Sequence, residues 1–82
     1  MASEHVKPEG LRELFRYRKA GRIRAYGVRP QLDEGVELWV VSANEREVSK
    51  SRKLVSLADN ALLEAFLEDL ERELRRGGWS EA

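Results

Sequence analysis

Two periodicities of apolar residues run along this chain, and the places where one gives way to the other predict its elements. The most regular stretch is helical. Leu62, Leu63, Phe66, Leu67, Leu70 and Leu74 fall within an arc of roughly 140° at 100° per residue, which marks an amphipathic helix. Ser56 with Asp59 three residues on resembles a capping box, and Gly77 and Gly78 supply a stop. Glu68 with Arg72, and Glu71 with Arg75, are i to i+4 pairs in the favourable direction. A shorter stripe of Leu11, Leu14 and Phe15 predicts a first helix over Pro8–Ala20, with proline at its first position, Glu9 in the first turn and Gly21 as its end. Arg18 takes the next place on that stripe, where its methylenes can lie along the core while the guanidinium points outward.

Between these helices the period becomes two. Ile23 and Ala25 alternate with Arg22, Arg24 and Tyr26, which predicts a half-buried strand with a basic and aromatic outer face. Val36, Leu38 and Val40 alternate with Glu37, Trp39 and Val41 in a clearer second strand. Arg29 to Gly35, with Pro30, Asp33 and Gly35, reads as the loop between them. Ser42 to Glu45 closes a hairpin, and Arg46 to Val55 remains for a third strand. The expected architecture is α+β in the order αβββα, an antiparallel three-stranded sheet with two helices packed on one face. Residues 1–82 form a single domain with its core at about 8–76 and flexible termini at 1–7 and 77–82. Eighty-two residues allow one modest core.

Charge alters this picture because it is segregated. Lysine plus arginine and aspartate plus glutamate number 15 each, for a formal net charge of zero. Yet Met1 to Pro30 holds Lys7, Arg12, Arg16, Arg18, Lys19, Arg22, Arg24 and Arg29 against Glu4, Glu9 and Glu13. A second basic knot is Lys50, Arg52 and Lys53, and the acids collect at Asp33 to Glu47 and Asp59 to Glu73. A chain whose average field is nil is thus expected to present a local positive face. The abundance of glutamate and arginine fits either a thermophilic origin or a GC-rich genome.

Composition argues against several kinds of chemistry. There is no cysteine, and the one histidine, His5, lies close to the N-terminus, so neither a metal site nor a cofactor is expected. No glycine-rich phosphate loop or nucleophile elbow occurs, and the expectation is a protein that is not an enzyme. No apolar run approaches a membrane span of about 20 residues and no signal-peptide stretch precedes the domain, which predicts a cytoplasmic protein.

Phosphate contact is the chemistry that the basic residues suit. Were the last helix to begin at Ser51, its free amides would meet a phosphate beside Arg52 and Lys53; were it to begin at Ser56, those residues would lie on a strand. Both starts agree with the sequence. Arg22, Arg24, Tyr26 and Trp39 are expected to share one sheet face, where the aromatic planes stack bases or form an interface. Arg24 opposite Glu37 is a candidate cross-strand pair, and Trp79 is placed to fold back over Tyr26 and Trp39.

The order αβββα with these signals resembles the double-stranded-RNA-binding domain over about Pro8 to Leu70. Leu11-Arg12-Glu13-Leu14 is similar to the family's first-helix motif. Pro30, Leu32 and Val36 have the spacing of its Gly-Pro-x-His loop and the following phenylalanine, and Lys50-Ser51-Arg52-Lys53 resembles the Ser-Lys-Lys at its second helix. The chain departs from the pattern at Leu32 for the histidine, Arg29 for the glycine and Ser56 for a lysine, and no glycines precede Ser51. The resemblance implies that Glu13 and Arg16 enter an RNA minor groove while Ser51, Arg52 and Lys53 clamp phosphates. The expected function is therefore a nucleic-acid-binding module for structured RNA or DNA, contacting phosphates through Arg22, Arg24, Arg29, Lys50, Arg52 and Lys53. The alternative is a protein-interaction or homodimerisation module using the sheet face and the C-terminal helix.

Overall fold

The fold was obtained as a computed structural model that describes residues 9–31, 35–44 and 50–82. The first element is a strand, β1 (Arg12–Lys19), and not the helix expected over Pro8–Ala20. The helical stripe ended at Arg18 because the period from Phe15 onward is two: Phe15 and Tyr17 turn to one side and Arg16 and Arg18 to the other. The apparent i, i+3, i+4 spacing arose from one extra residue. A register shift between Glu13 and Phe15 leaves Leu14 as a bulge, so Leu14 and Phe15 both reach the core. Ala20 and Gly21, at φ 51° and 79°, then form a two-residue turn that pairs Lys19 with Arg22. Positive φ at both turn positions gives the twist that a tight hairpin needs.

Four further elements are β2 (Arg22–Pro30), β3 (Val36–Asn44), β4 (Lys50–Leu57) and α1 (Asn60–Arg76), and a two-residue β5 (Ser80–Glu81) follows. The sheet order is β4-β3-β2-β1-β5 with every described pairing antiparallel. The architecture is α+β, but ββββαβ replaces αβββα, five strands replace three, and one helix replaces two. β4 coincides in part with the stretch expected for a third strand, and a bulge at Leu54 lets Leu54 and Val55 both turn to the core. The proposed hairpin turn at Ser42 to Glu45 is displaced: β3 continues through Asn44, and residues 45–49 lie outside the described residues, as do Leu32 and Asp33 of the other loop.

α1 begins later than either expected start. Asp59 is the N-cap, its Oδ1 accepting a hydrogen bond from the Leu62 amide at 3.0 Å, so Ser51 and Ser56 both lie in β4. At the other end Gly78, at φ 91°, turns the chain so that the Trp79 amide donates to the Leu74 carbonyl at 2.9 Å. Residues 77–82 run back along the fold: Trp79 packs on the core and β5 pairs with β1.

The core lies between α1 and one face of the sheet. Leu63 meets Val28 and Leu38, and Leu74 meets Tyr17, Tyr26 and Val40. Phe66, Leu67 and Leu70 join them, whereas Leu62, at the margin of the stripe, remains 49% exposed. Tyr17 is fully buried and spends its hydroxyl on Glu71 Oε1 at 3.0 Å. Burial pushes the Tyr17 phenol above its ordinary pKa, and the bond to Glu71 pushes the same way. The Cα envelope is 37 × 37 × 14 Å, the thickness of one sheet and one helix layer. Among the described residues no helix is long and apolar enough to cross a membrane.

Candidate anion-binding pocket

Residues opposite each other in an antiparallel pair project to the same side, so the register tells which side chains share a face. On the helix-covered side, Tyr17, Arg24, Ser42 and Lys50 form one row across β1 to β4. Lys19, Arg22 and Asn44 form the next row outward. Tyr26, Val40 and Arg52 form the row inward, where Tyr26 and Val40 are buried and Arg52 projects at the β4 edge. α1 packs over the apolar rows and stops, which leaves the basic rows beyond it uncovered. Trp79 fills part of that space, with the Arg24 guanidinium 4.5 Å from its ring centroid.

The result is a cavity of about 180 Å³ lined by Arg22, Ile23, Arg24, Ser42, Ala43, Asn44, Lys50 and Trp79. Three cationic side chains converge there from strands distant in sequence. Among the described residues, Arg22, Arg24, Lys50 and Arg52 form no ion pair with a carboxylate. Such a concave cluster can hold an anion: guanidinium and ammonium donors provide charge, and Ser42 and Asn44 add polar atoms at the floor.

The other expected contact residues lie on the opposite face. Glu13 and Arg16, which the resemblance placed on a first helix, are strand residues joined by a two-point ion pair with both contacts at 2.8 Å. Arg29 donates to Glu37 Oε1 at 2.7 Å, Trp39 Nε1 donates to the same oxygen at 2.9 Å, and Lys53 Nζ lies 3.9 Å from Oε2. These partners hold the Glu37 carboxyl below the usual carboxylate range, the Trp39 bond first and the Arg29 bond next. Arg29 also lies over the Trp39 ring at 5.1 Å. Ser51 is opposite Val41 on this face.

Several expectations about faces are corrected by this register. Tyr26 and Trp39 do not share a surface, since Tyr26 is 3% exposed beneath α1 and Trp39 is on the opposite face of the sheet. Arg24 pairs with Ser42 and not with Glu37, whose partner is Arg29. Trp79 meets Arg24 rather than covering Trp39. Lys50, Ser51, Arg52 and Lys53 alternate between the two faces because they lie in a strand, and no helix N-terminus stands among them. Ser42, Asn44 and Trp79 were absent from the expected contact set; a tryptophan just after a Gly-Gly stop was the one sequence signal for a residue brought back onto the fold.

The fold and pocket define a small α+β domain, a five-stranded antiparallel sheet with a single helix on one face and a cationic hollow past the helix end. No family model matches the chain, and neither curated proteins nor solved structures provide a significant match.

Proposed function

We propose that the chain is a small non-enzymatic module that binds structured RNA or DNA through phosphate contacts, anchored by Arg22, Arg24 and Lys50 with Arg52 beside them. The observation that carries this reading is the convergence of unneutralised cations in one hollow, on a chain with no net charge. At about 180 Å³ the hollow is smaller than the roughly 300–1,000 Å³ of ordinary ligand clefts, and it suits a backbone phosphate better than a whole cofactor. Arg29, Lys53 and Arg16 are set apart from the contact surface by their carboxylate partners.

Three neutralised phosphates imply a log–log salt slope of about −2.7 on duplex DNA, or about 40-fold weaker binding between about 50 and about 200 mM salt. Fluorescence anisotropy against duplex RNA, duplex DNA and single strands measures this directly. Arg24→Gln and Lys50→Gln should each reduce the slope by about one, while Arg29→Gln leaves it unchanged. Salt-insensitive binding, or full binding by the doubly substituted protein, refutes the reading.

A further inference from the structure

The cationic hollow distinguishes one kind of phosphate from another. Arg22, Arg24 and Lys50 bring three positive charges to a single space of about 180 Å³, with Ser42 and Asn44 as the other polar residues on its lining. Among the described residues, no aspartate or glutamate lines it. The carbonyl end of α1, two residues before Trp79, would oppose an anion, but Lys19 answers it: its Nζ donates to the Gly77 carbonyl. Arg24 is also held in place. Its guanidinium lies over the Trp79 ring, and that ring is fixed by core packing and by the bond from the Trp79 amide to the Leu74 carbonyl. A donor ordered before the ligand arrives loses less freedom on binding.

We propose that this hollow receives the terminal phosphate of a nucleic-acid strand, a monoester, in preference to a diester within the strand. The inference rests on the nucleic-acid reading above and names the part of the ligand that enters. A diester brings one negative charge and two unesterified oxygens. A monoester brings about −1.5 to −2 charges near pH 7 and three acceptor oxygens. Three cations gathered in one concave site repel each other, and the more highly charged group offsets more of that repulsion.

The walls favour an end as well. Trp79 fills the β1 flank, and inward of the hollow Tyr26 and Val40 are buried under α1. A phosphate within a strand must send a nucleotide away on each side, whereas an end phosphate sends only one. Arg52 lies two residues along β4 from Lys50, roughly 7 Å at standard rise, and projects at the sheet edge. It stands outside the hollow, where the strand leaving it can be held by its next phosphate.

RNA and DNA hairpins test the proposal, because each has one 5′ and one 3′ end. They are made with a 5′-phosphate, with a 3′-phosphate, or with hydroxyls at both ends, labelled in the loop, and compared by fluorescence anisotropy at fixed ionic strength. One phosphorylated form should bind about tenfold or more tighter than the hydroxyl form, the worth of a charge-assisted hydrogen bond. Arg22→Gln combined with Lys50→Gln should remove the preference with far-UV circular dichroism intact, while Arg29→Gln keeps it. On the wild type, inorganic phosphate at constant ionic strength should bring the phosphorylated hairpin down to the affinity of the hydroxyl form. Equal, salt-sensitive binding of all three hairpins overturns the end preference and leaves the phosphate-contact reading standing. Absence of binding by any of them at low salt overturns both. A preference that survives the double substitution, or that inorganic phosphate does not abolish, places the terminal phosphate elsewhere and overturns the proposal.

Discussion

Substitution of Ala20 separates the hairpin from the helix that local periodicity suggested, because the two conformations predict opposite signs. In the β1–β2 turn Ala20 holds φ 51°. An L-residue with a Cβ in the left-handed region costs about 1–2 kcal/mol. Asparagine tolerates that region, so Ala20→Asn should stabilise the domain by about 1 kcal/mol. Ala20→Gly removes the clash but gives up about 0.4–1 kcal/mol to the freer unfolded chain, leaving a gain of about 0.5 kcal/mol. Ala20→Val, with a branched Cβ, should lose stability. Were Ala20 the last residue of a helix, alanine would be the best occupant, with glycine worse by about 1 kcal/mol and asparagine by up to about 0.7 kcal/mol. Urea unfolding followed by tryptophan emission reads the difference as a change in midpoint at constant slope. In a domain of this size 1 kcal/mol corresponds to about 4–8 °C in Tm. Destabilisation by both Asn and Gly would refute the turn geometry and, with it, the face assignments that follow from the β1 register.

Three other substitutions probe what the fold rests on. A Cβ at Gly27 would come within 2.7 Å of the Arg12 carbonyl and 3.1 Å of Leu11 Cγ, so Gly27→Ala should cost about 1–3 kcal/mol in chemical denaturation, and an unchanged midpoint would contradict that close approach. Tyr17→Phe should cost about 1 kcal/mol for the lost bond to Glu71. The folded pKa of Tyr17 is raised, so its contribution is complete below the unfolded value near 10 and disappears as pH rises through the folded one; alkaline unfolding curves of wild type and Tyr17→Phe should therefore converge. Glu37 is the reverse case. Its folded pKa is depressed, so its stabilisation is present above the unfolded value near 4.3 and is lost as pH falls through the folded one. Glu37→Gln should flatten the acid limb of stability against pH, and an identical acid limb would rule out the Arg29–Glu37–Trp39 cluster as its source.

The β1 stretch shows where local reading ran out. Leu11, Leu14 and Phe15 satisfy helical spacing, yet the bulge at Leu14 turns only Leu14 and Phe15 to the core, and Leu11 lies beside Gly27 on the other face. Resolving that ambiguity takes the partner strand, which is not local. The β2 faces were inverted for a related reason: arginine at position 24 seemed to mark an outer face, yet it points to the helix side at a place that α1 does not reach. Trp39 and Leu38 were assigned to opposite faces correctly, since β3 alternates cleanly between its large side chains.

By itself the sequence determined the leucine-faced final helix, its Gly-Gly end, the β3 strand and the segregation of charge. Each depends on side chains a few residues apart, and one window contains the whole signal. Only the tertiary structure decided that the first element is a strand, that α1 waits for Asp59, and which cations keep company. Arg22, Arg24 and Lys50 meet in one hollow while Arg29 and Lys53 share the one carboxylate of Glu37, although all five belong to the same basic segments. The cause is strand register: pairing sets the face of every side chain on a period of two, and a single bulged residue reverses it.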